Sequence, residues 1–465
     1  MPGSAPPIGT PPRIIPRARW RSRCASRSRR TVKKIRKGVT RVTADADIDR
    51  RRRSRLNDVT ALDPFVRRHS GVIPAVAAPA PDGIRRNVRR PIPGTWWARL
   101  RCVMRALLPA VIYLAGQALT MRLVAFVGTR HEQGFAELLN SWDGLHFLEI
   151  ARNGYTFAVG PDIRNSPAFF PGYPALVRWT SDLTGVSLET AGFCTSTVSG
   201  VAFAYGLVRL AGRLPGVDRR TAMLWVGLVC VAPLSIVLAM TYTESFFCAL
   251  AVWSLACALE NRWLWCGALA LVAGLVRPTG LALSGALLLV AVIALVRRRA
   301  TVRQLIAALV APLGTIGYLG WVGLRAGSPT AFFDTQANGW GTKFDFGAGT
   351  LRFVTKALDT APAVLDLVVV VVIGASIILL GLLVRQRRPL LLIAYTALVM
   401  VSNIGSDGIM NSKVRLMVPA FLLLLPVAVW LDRQSTAVRW TGITVFAMAG
   451  IWYSAYGLII YRYAI

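Results

Sequence analysis

The stretch SWDGLHFLEIARNGY, residues 141–155, sets Asp143, His146 and Glu149 at every third position. On a helix, that spacing puts all three on one broad face. Trp142, Leu145, Phe147, Leu148 and Ile150 stand among them. A carboxylate on such a partly apolar helix can be held in place with a raised proton affinity, which suits a general base. Structural ion pairs perturb acids as well, so Asp143 reads either as a catalytic base or as one half of a salt bridge.

Further charged positions fall where hydrocarbon would be expected. TYTESFF (241–247) holds Tyr242 and Glu244; as a purely structural feature, Glu244 would complement the dipole of a helix start capped by Thr243. In LVRPTGLAL (275–283), Arg277 interrupts two apolar runs. An arginine there either snorkels to headgroups or binds an anion, and Pro278 would let the next helix offer its N-terminal amides to that anion. Lys413 and Arg415 open another apolar run, and a phosphate-bearing lipid needs such donors. No Gly-rich phosphate loop, Ser-His-Asp arrangement or paired-cysteine spacing is present, which argues against ATP-driven chemistry and against a zinc or disulfide framework.

The element that must position these residues is a membrane-embedded bundle. Of 465 residues, 54% are hydrophobic and only 16% charged, with a net charge of +32; this excludes a single water-soluble globule. Apolar runs of about bilayer length lie at 104–127, 191–210, 221–240, 243–259, 263–276, 280–296, 304–324, 364–384, 389–403, 414–431 and 440–461. The expected fold class is therefore an all-α polytopic membrane protein of roughly 11 transmembrane helices. Residues 1–102 carry 26 Lys and Arg against 6 acids. Their Arg-, Pro- and Ala-rich composition cannot bury enough apolar surface to offset chain entropy, so a disordered basic tail is expected, followed by a membrane domain over 103–465.

With the tail on the cytoplasmic side, the loops of that side hold 14 basic residues against 3 acids, and the opposite loops 12 against 13. The alternation obeys the positive-inside rule without forcing any span. It places Asp143, His146, Tyr242, Glu244, Arg277 and Arg415 at outer span ends, around one outward-facing cavity. One stretch does not read as a crossing: SPAFFPGYPALVRWTSD (166–182) is short, has three prolines and ends in Arg178 and Asp182. It is expected to be re-entrant or interfacial. Two long outer loops remain, about 128–190 and 325–362, and loops of that length are usually functional.

WDGLHFLEIARNGY followed by AFFPGYP (168–174) resembles the first outer loop of the PIG-V-like mannosyltransferases, a family of the GT-C superfamily that includes the second mannosyltransferase of GPI-anchor assembly. YTESFF and VRPTGL resemble later segments of that family, and the resemblance runs from about 103 to 465. It implies a GT-C-like fold and a polyprenyl-phosphate sugar, typically mannose, as donor on the non-cytoplasmic face of the cell membrane. The acidic catalytic residue it implies falls on Asp143, with His146 at the motif's histidine. Tyr242, Glu244, Arg277 and Arg415 are then candidates for donor or acceptor binding.

The mechanism expected on this basis is an inverting displacement at the anomeric carbon. Asp143 takes a proton from a lipid, glycan or protein acceptor, while Arg277 and Arg415 steady the leaving phosphate. No cofactor is required, although Asp143 with His146 is a weak pattern for a divalent cation. The partners are the donor, the acceptor and membrane lipids, without nucleic acid. The rival reading is a transporter or lipid flippase, for which intramembrane charges and proline-broken helices are also normal; no repeat between the halves supports it.

Overall fold

A computed structural model describes residues 96–157, 167–360 and 363–461. Among these, all regular structure is helical, and the β content is one isolated antiparallel bridge between Phe344 and Ser406. The expected basic tail lies outside the described residues up to position 95; residues 96–102 instead open the first helix, α1 (Trp96–Arg130). At about 1.5 Å per residue, its 35 residues exceed the roughly 30 Å of a hydrocarbon layer, so both ends emerge from it.

The long loop after α1 folds into α2 (Phe135–Asn140), α3 (Asp143–Asn153) and α4 (Gly172–Thr184). With 13 residues, α4 is too short to cross, in keeping with the interfacial reading. It buries Tyr173 and Val177 and leaves Trp179 and Leu183 outside. The chain then runs through α5 (Leu188–Ala211), α6 (Arg219–Cys230), α7 (Glu244–Leu259), α8 (Trp263–Val276), α9 (Gly280–Val296), α10 (Val302–Val310) and α11 (Leu313–Ala326). The long loop after α11 forms α12 (Ala331–Trp340) and α13 (Ala348–Asp359). After it come α14 (Val364–Arg385), α15 (Leu390–Ile404), α16 (Lys413–Leu416), α17 (Leu425–Asp432) and α18 (Thr436–Ala455).

Among the described residues, five helical stretches are long and apolar enough to cross a membrane: α1, α5, Val302–Ala326, α14 and Thr436–Ile460. A sixth, Met410–Leu416 with Val418–Asp432, is bent by 63°. Helices α7, α8, α9 and α15 are apolar but shorter. The chain is thus an all-α, multi-pass membrane protein. The expected count of eleven spans is not confirmed, because several apolar runs fold as short or broken helices.

Two breaks matter most. The run expected at 221–240 leaves the helix after Cys230; Leu234 takes a positive φ of 58°, and only a 3₁₀ turn, Ser235–Leu238, follows. Irregular backbone at membrane depth survives only where protein satisfies its polar groups. Here Gln117 Nε2 donates to the Cys230 carbonyl at 3.3 Å, and the Leu238 carbonyl accepts from Tyr113 Oη at 3.2 Å and Ser245 Oγ at 2.5 Å. The run expected at 414–431 breaks into α16, a 3₁₀ segment (Val418–Leu424) containing Pro419, and α17. Tyr395 Oη donates to the Pro419 carbonyl at 2.9 Å and Trp225 Nε1 to that of Phe421 at 3.0 Å.

Helices α1 and α5 cross closely enough that a Cβ on Gly200 would overlap the Tyr113 ring. At one end of the bundle the arginine-bearing loops meet. Glu260 gathers Arg209 (2.6 Å), Arg213 (3.0 Å) and Arg262 (3.5 Å), Asp432 pairs with Arg220 (3.2 Å), and Arg388 donates to the Pro215 carbonyl (2.8 Å). Arg209 holds the Glu260 carboxyl below its ordinary range by hydrogen bonding.

Candidate active site

At the other end of α1, the turn between α2 and α3 rests on the irregular segment that precedes α7. Gly144 packs against the Thr241 carbonyl and the Tyr242 ring, and buried Tyr242 donates from Oη to the Ser141 carbonyl at 3.2 Å. Trp142, just before α3, has φ 55° and ψ −122°. This is a costly conformation for a residue with a Cβ, and one that persists only where surrounding contacts fix it. It delivers Asp143 as the first residue of α3.

Asp143 Oδ2 lies 2.8 Å from Arg415 Nη2. Arg415 Nε is 3.6 Å from Glu244 Oε1, and the same oxygen is 2.6 Å from Arg277 Nη1. Arg277 Nη1 also donates to Thr243 Oγ1 at 2.9 Å, and the Arg415 guanidinium sits 5.1 Å from the centre of the Tyr242 ring. Four charges of alternating sign therefore form one line: Asp143, Arg415, Glu244, Arg277. Side-chain exposures of 20%, 10%, 2% and 9% in that order explain the alternation, since an isolated charge at such depth costs several kcal/mol.

Of the expected site residues, the fold brings Asp143, Tyr242, Glu244, Arg277 and Arg415 into contact. The dipole-only reading of Glu244 fails in one respect: Thr243 makes no side-chain cap to α7, and its hydroxyl serves Arg277 instead. Both arginines keep a donor without a hydrogen-bond partner, Nε of Arg277 and Nε and Nη1 of Arg415. Arg277 spends Nη1 on Glu244 and Thr243, whereas Nη1 of buried Arg415 has no hydrogen-bond partner. A guanidinium has five donors in a planar fork, and an unused one beside a carboxylate can take an anionic oxygen. Lys413 is committed elsewhere, donating to the carbonyls of Asn403 and Ser406 at 2.6 Å each, by the end of α15.

His146 stands one turn along α3 and joins a different group. Its ring stacks on Phe169 with centres 4.7 Å apart and meets the edge of Trp340 at 6.3 Å. Phe169 is pinned through its carbonyl, which accepts from Tyr318 Oη at 2.7 Å and Tyr155 Oη at 2.8 Å. Trp340, at the end of α12, thus brings the second long loop onto the first; only its loop was singled out in the sequence, not the residue. Glu149 stays out of the ion line and accepts from Asn153 at 2.7 Å. Among the described residues, no three His, Cys, Asp or Glu side chains come together as a metal site.

A family model, described as mannosyltransferase (PIG-V), matches residues 106–320. Asp143, Tyr242, Glu244 and Arg277 lie within the match and Arg415 beyond it. No protein of curated function matches the chain in sequence. Among solved structures, ArnT from Cupriavidus metallidurans bound to undecaprenyl phosphate aligns at 19% identity and a TM-score of 0.46, over 75% of this chain and 63% of that one. Its apo form aligns at 17% identity and 0.46, over 75% and 62%. The chain therefore spans less than two thirds of the length of the ArnT structures it resembles.

Proposed function

We propose that this chain is a membrane glycosyltransferase of the GT-C type, moving mannose from a polyprenyl-phosphate donor to a hydroxyl of a lipid, glycan or protein acceptor on the extracytoplasmic face. The observation that carries the reading is the buried line Asp143, Arg415, Glu244, Arg277, three of whose members fall inside the mannosyltransferase match.

In the proposed step, Asp143 takes the acceptor's proton on Oδ1 while the acceptor oxygen bonds to the anomeric carbon. The bond from that carbon to the phosphate oxygen breaks on the opposite face, and the lipid phosphate leaves. Configuration inverts through an oxocarbenium-like state. Arg415 has two roles. Its ion pair through Oδ2 holds the Asp143 carboxylate in position, and its free Nη1 donor meets the charge that grows on the leaving phosphate. Arg277 balances Glu244, so that Arg415 is not fully neutralised by the two carboxylates beside it. With arginine serving the phosphate, the step asks for no metal.

The test is to incubate the purified protein with labelled polyprenyl-phosphate mannose and a membrane lipid extract, and to look for a new mannosylated product. Transfer of label supports the reading. Intact donor after exposure to lipid, glycan and peptide acceptors, with the protein folded, contradicts it.

A further inference from the structure

At the arginine-rich end, far from the ion line, α1 carries a cleft of about 600 Å³ lined by Ala98, Arg101, Cys102, Arg105, Ala106 and Arg219. Its construction follows from helix periodicity. Ala98, Cys102 and Ala106 recur every fourth residue and form a floor of small side chains, while Arg101 and Arg105, also four apart, form one wall. Arg219, the first residue of α6, closes the other side and donates to the backbone carbonyl of Arg105.

Several neighbouring cations have a carboxylate beside them and these do not. Arg209, Arg213 and Arg262 share Glu260, and Arg220 has Asp432. Arg101, Arg105 and Arg219 have no carboxylate partner among the described residues. Asp218, next in sequence to Arg219, is spent on the N–H and hydroxyl of Thr221. The cleft also lies at headgroup level. Trp96 and Trp97 are 61% and 55% exposed at the start of α1, as interfacial aromatics are, and exposed Leu100, Val103, Met104 and Leu107 continue toward the hydrocarbon.

From this juxtaposition we propose that the cleft is a binding site for the phosphate headgroup of an anionic phospholipid, held by Arg101, Arg105 and Arg219 with its acyl chains along the apolar face of α1. Guanidinium forks match phosphate oxygens in pairs, and three uncompensated cations at a membrane surface attract anionic lipid in any case. The inference is independent of the transferase reading.

The full chain is reconstituted in nanodiscs of phosphatidylcholine alone or mixed with phosphatidylglycerol. Native mass spectrometry should find phosphatidylglycerol retained by the unmutated protein and by Arg213→Gln, whose arginine is already paired, but lost from the triple variant Arg101→Gln, Arg105→Gln, Arg219→Gln. A second measurement needs no variant. Maleimide labelling of Cys102 should slow several-fold when phosphatidylglycerol is present, while exposed Cys194 labels at the same rate. No retained phosphatidylglycerol, equal retention by the triple variant, or unchanged Cys102 labelling would overturn the proposal. Equal protection of Cys102 by soluble glycerol phosphate in phosphatidylcholine discs would overturn the lipid and leave a site for free phosphate.

Discussion

Glu244, Arg277 and Arg415 are buried and Asp143 partly buried, each beside an opposite charge, so neutralising one member removes compensation from its neighbour. Arg415→Gln strands Asp143 and leaves Glu244 with Arg277 alone, and breaking a buried pair costs about 3–5 kcal/mol. A lowered melting temperature in detergent is the expected outcome. Arg415→Lys keeps the charge but loses the fork, so it should melt near the unmutated protein while binding the lipid-phosphate donor more weakly. Glu149→Gln, whose carboxylate serves Asn153 on the outside of α3, should change neither property; a loss as large as that of Arg415→Gln would place Glu149 in the site. The residue types of the site were legible because a carboxylate or guanidinium inside an apolar run needs a reason to be there. Their pairing was not legible, because Asp143 and Arg415 lie in different halves of the chain and spacing cannot join them. Trp340 was hidden for the same reason: its partners His146 and Phe169 belong to the other long loop.

At the scale of elements, the site is made by two helices that stop early. The break after Cys230 supplies Tyr242 and Glu244, and the break after α16 sets Arg415 opposite them. Side chains carry the freed backbone, so removing one should destabilise the break. Gln117→Leu leaves the Cys230 carbonyl without its donor, at a cost of about 1–3 kcal/mol, and Tyr395→Phe does the same at Pro419. Thermal melts should fall by several degrees in both; unchanged melts would mean that other groups satisfy these carbonyls. At the opposite end, Arg209 lowers the pKa of Glu260. A depressed carboxyl contributes stability above its unfolded pKa and loses it as pH falls through the folded value. Glu260→Gln should therefore flatten the acid limb of a stability profile and leave less stability at neutral pH. Hydropathy located 191–210, 263–276, 280–296 and 364–384 to within a few residues of the helices observed. It misread 221–240 and 414–431 as continuous because it weighs side chains and not backbone geometry, although Pro233, Pro419 and Pro426 carried the signal.

On the whole molecule, the apolar outer surface and the arginine-rich end define a membrane protein with two unlike faces. Helix α14, for example, leaves Val364, Leu367, Val371, Ile377, Ile378, Leu382 and Val384 uncovered by protein, a surface that lipid rather than water must cover. A reporter fused after Arg299 should be cytoplasmic and one after Gly347 extracytoplasmic; both on one side would refute the alternation that sets the ion line on the outer face. The charge asymmetry behind this orientation was visible in the sequence, whereas the short and broken spans became visible only with the fold. The central claim is that Asp143 is the base of a mannosyl transfer, and it is tested most directly by comparing Asp143→Asn with the unmutated protein in the same labelled-donor assay, measuring turnover and donor binding together. Asparagine keeps the volume but cannot accept the proton, so turnover should fall by about 10²–10⁴ with donor binding retained. Turnover close to that of the unmutated protein, or loss of donor binding in a folded variant, would contradict the account.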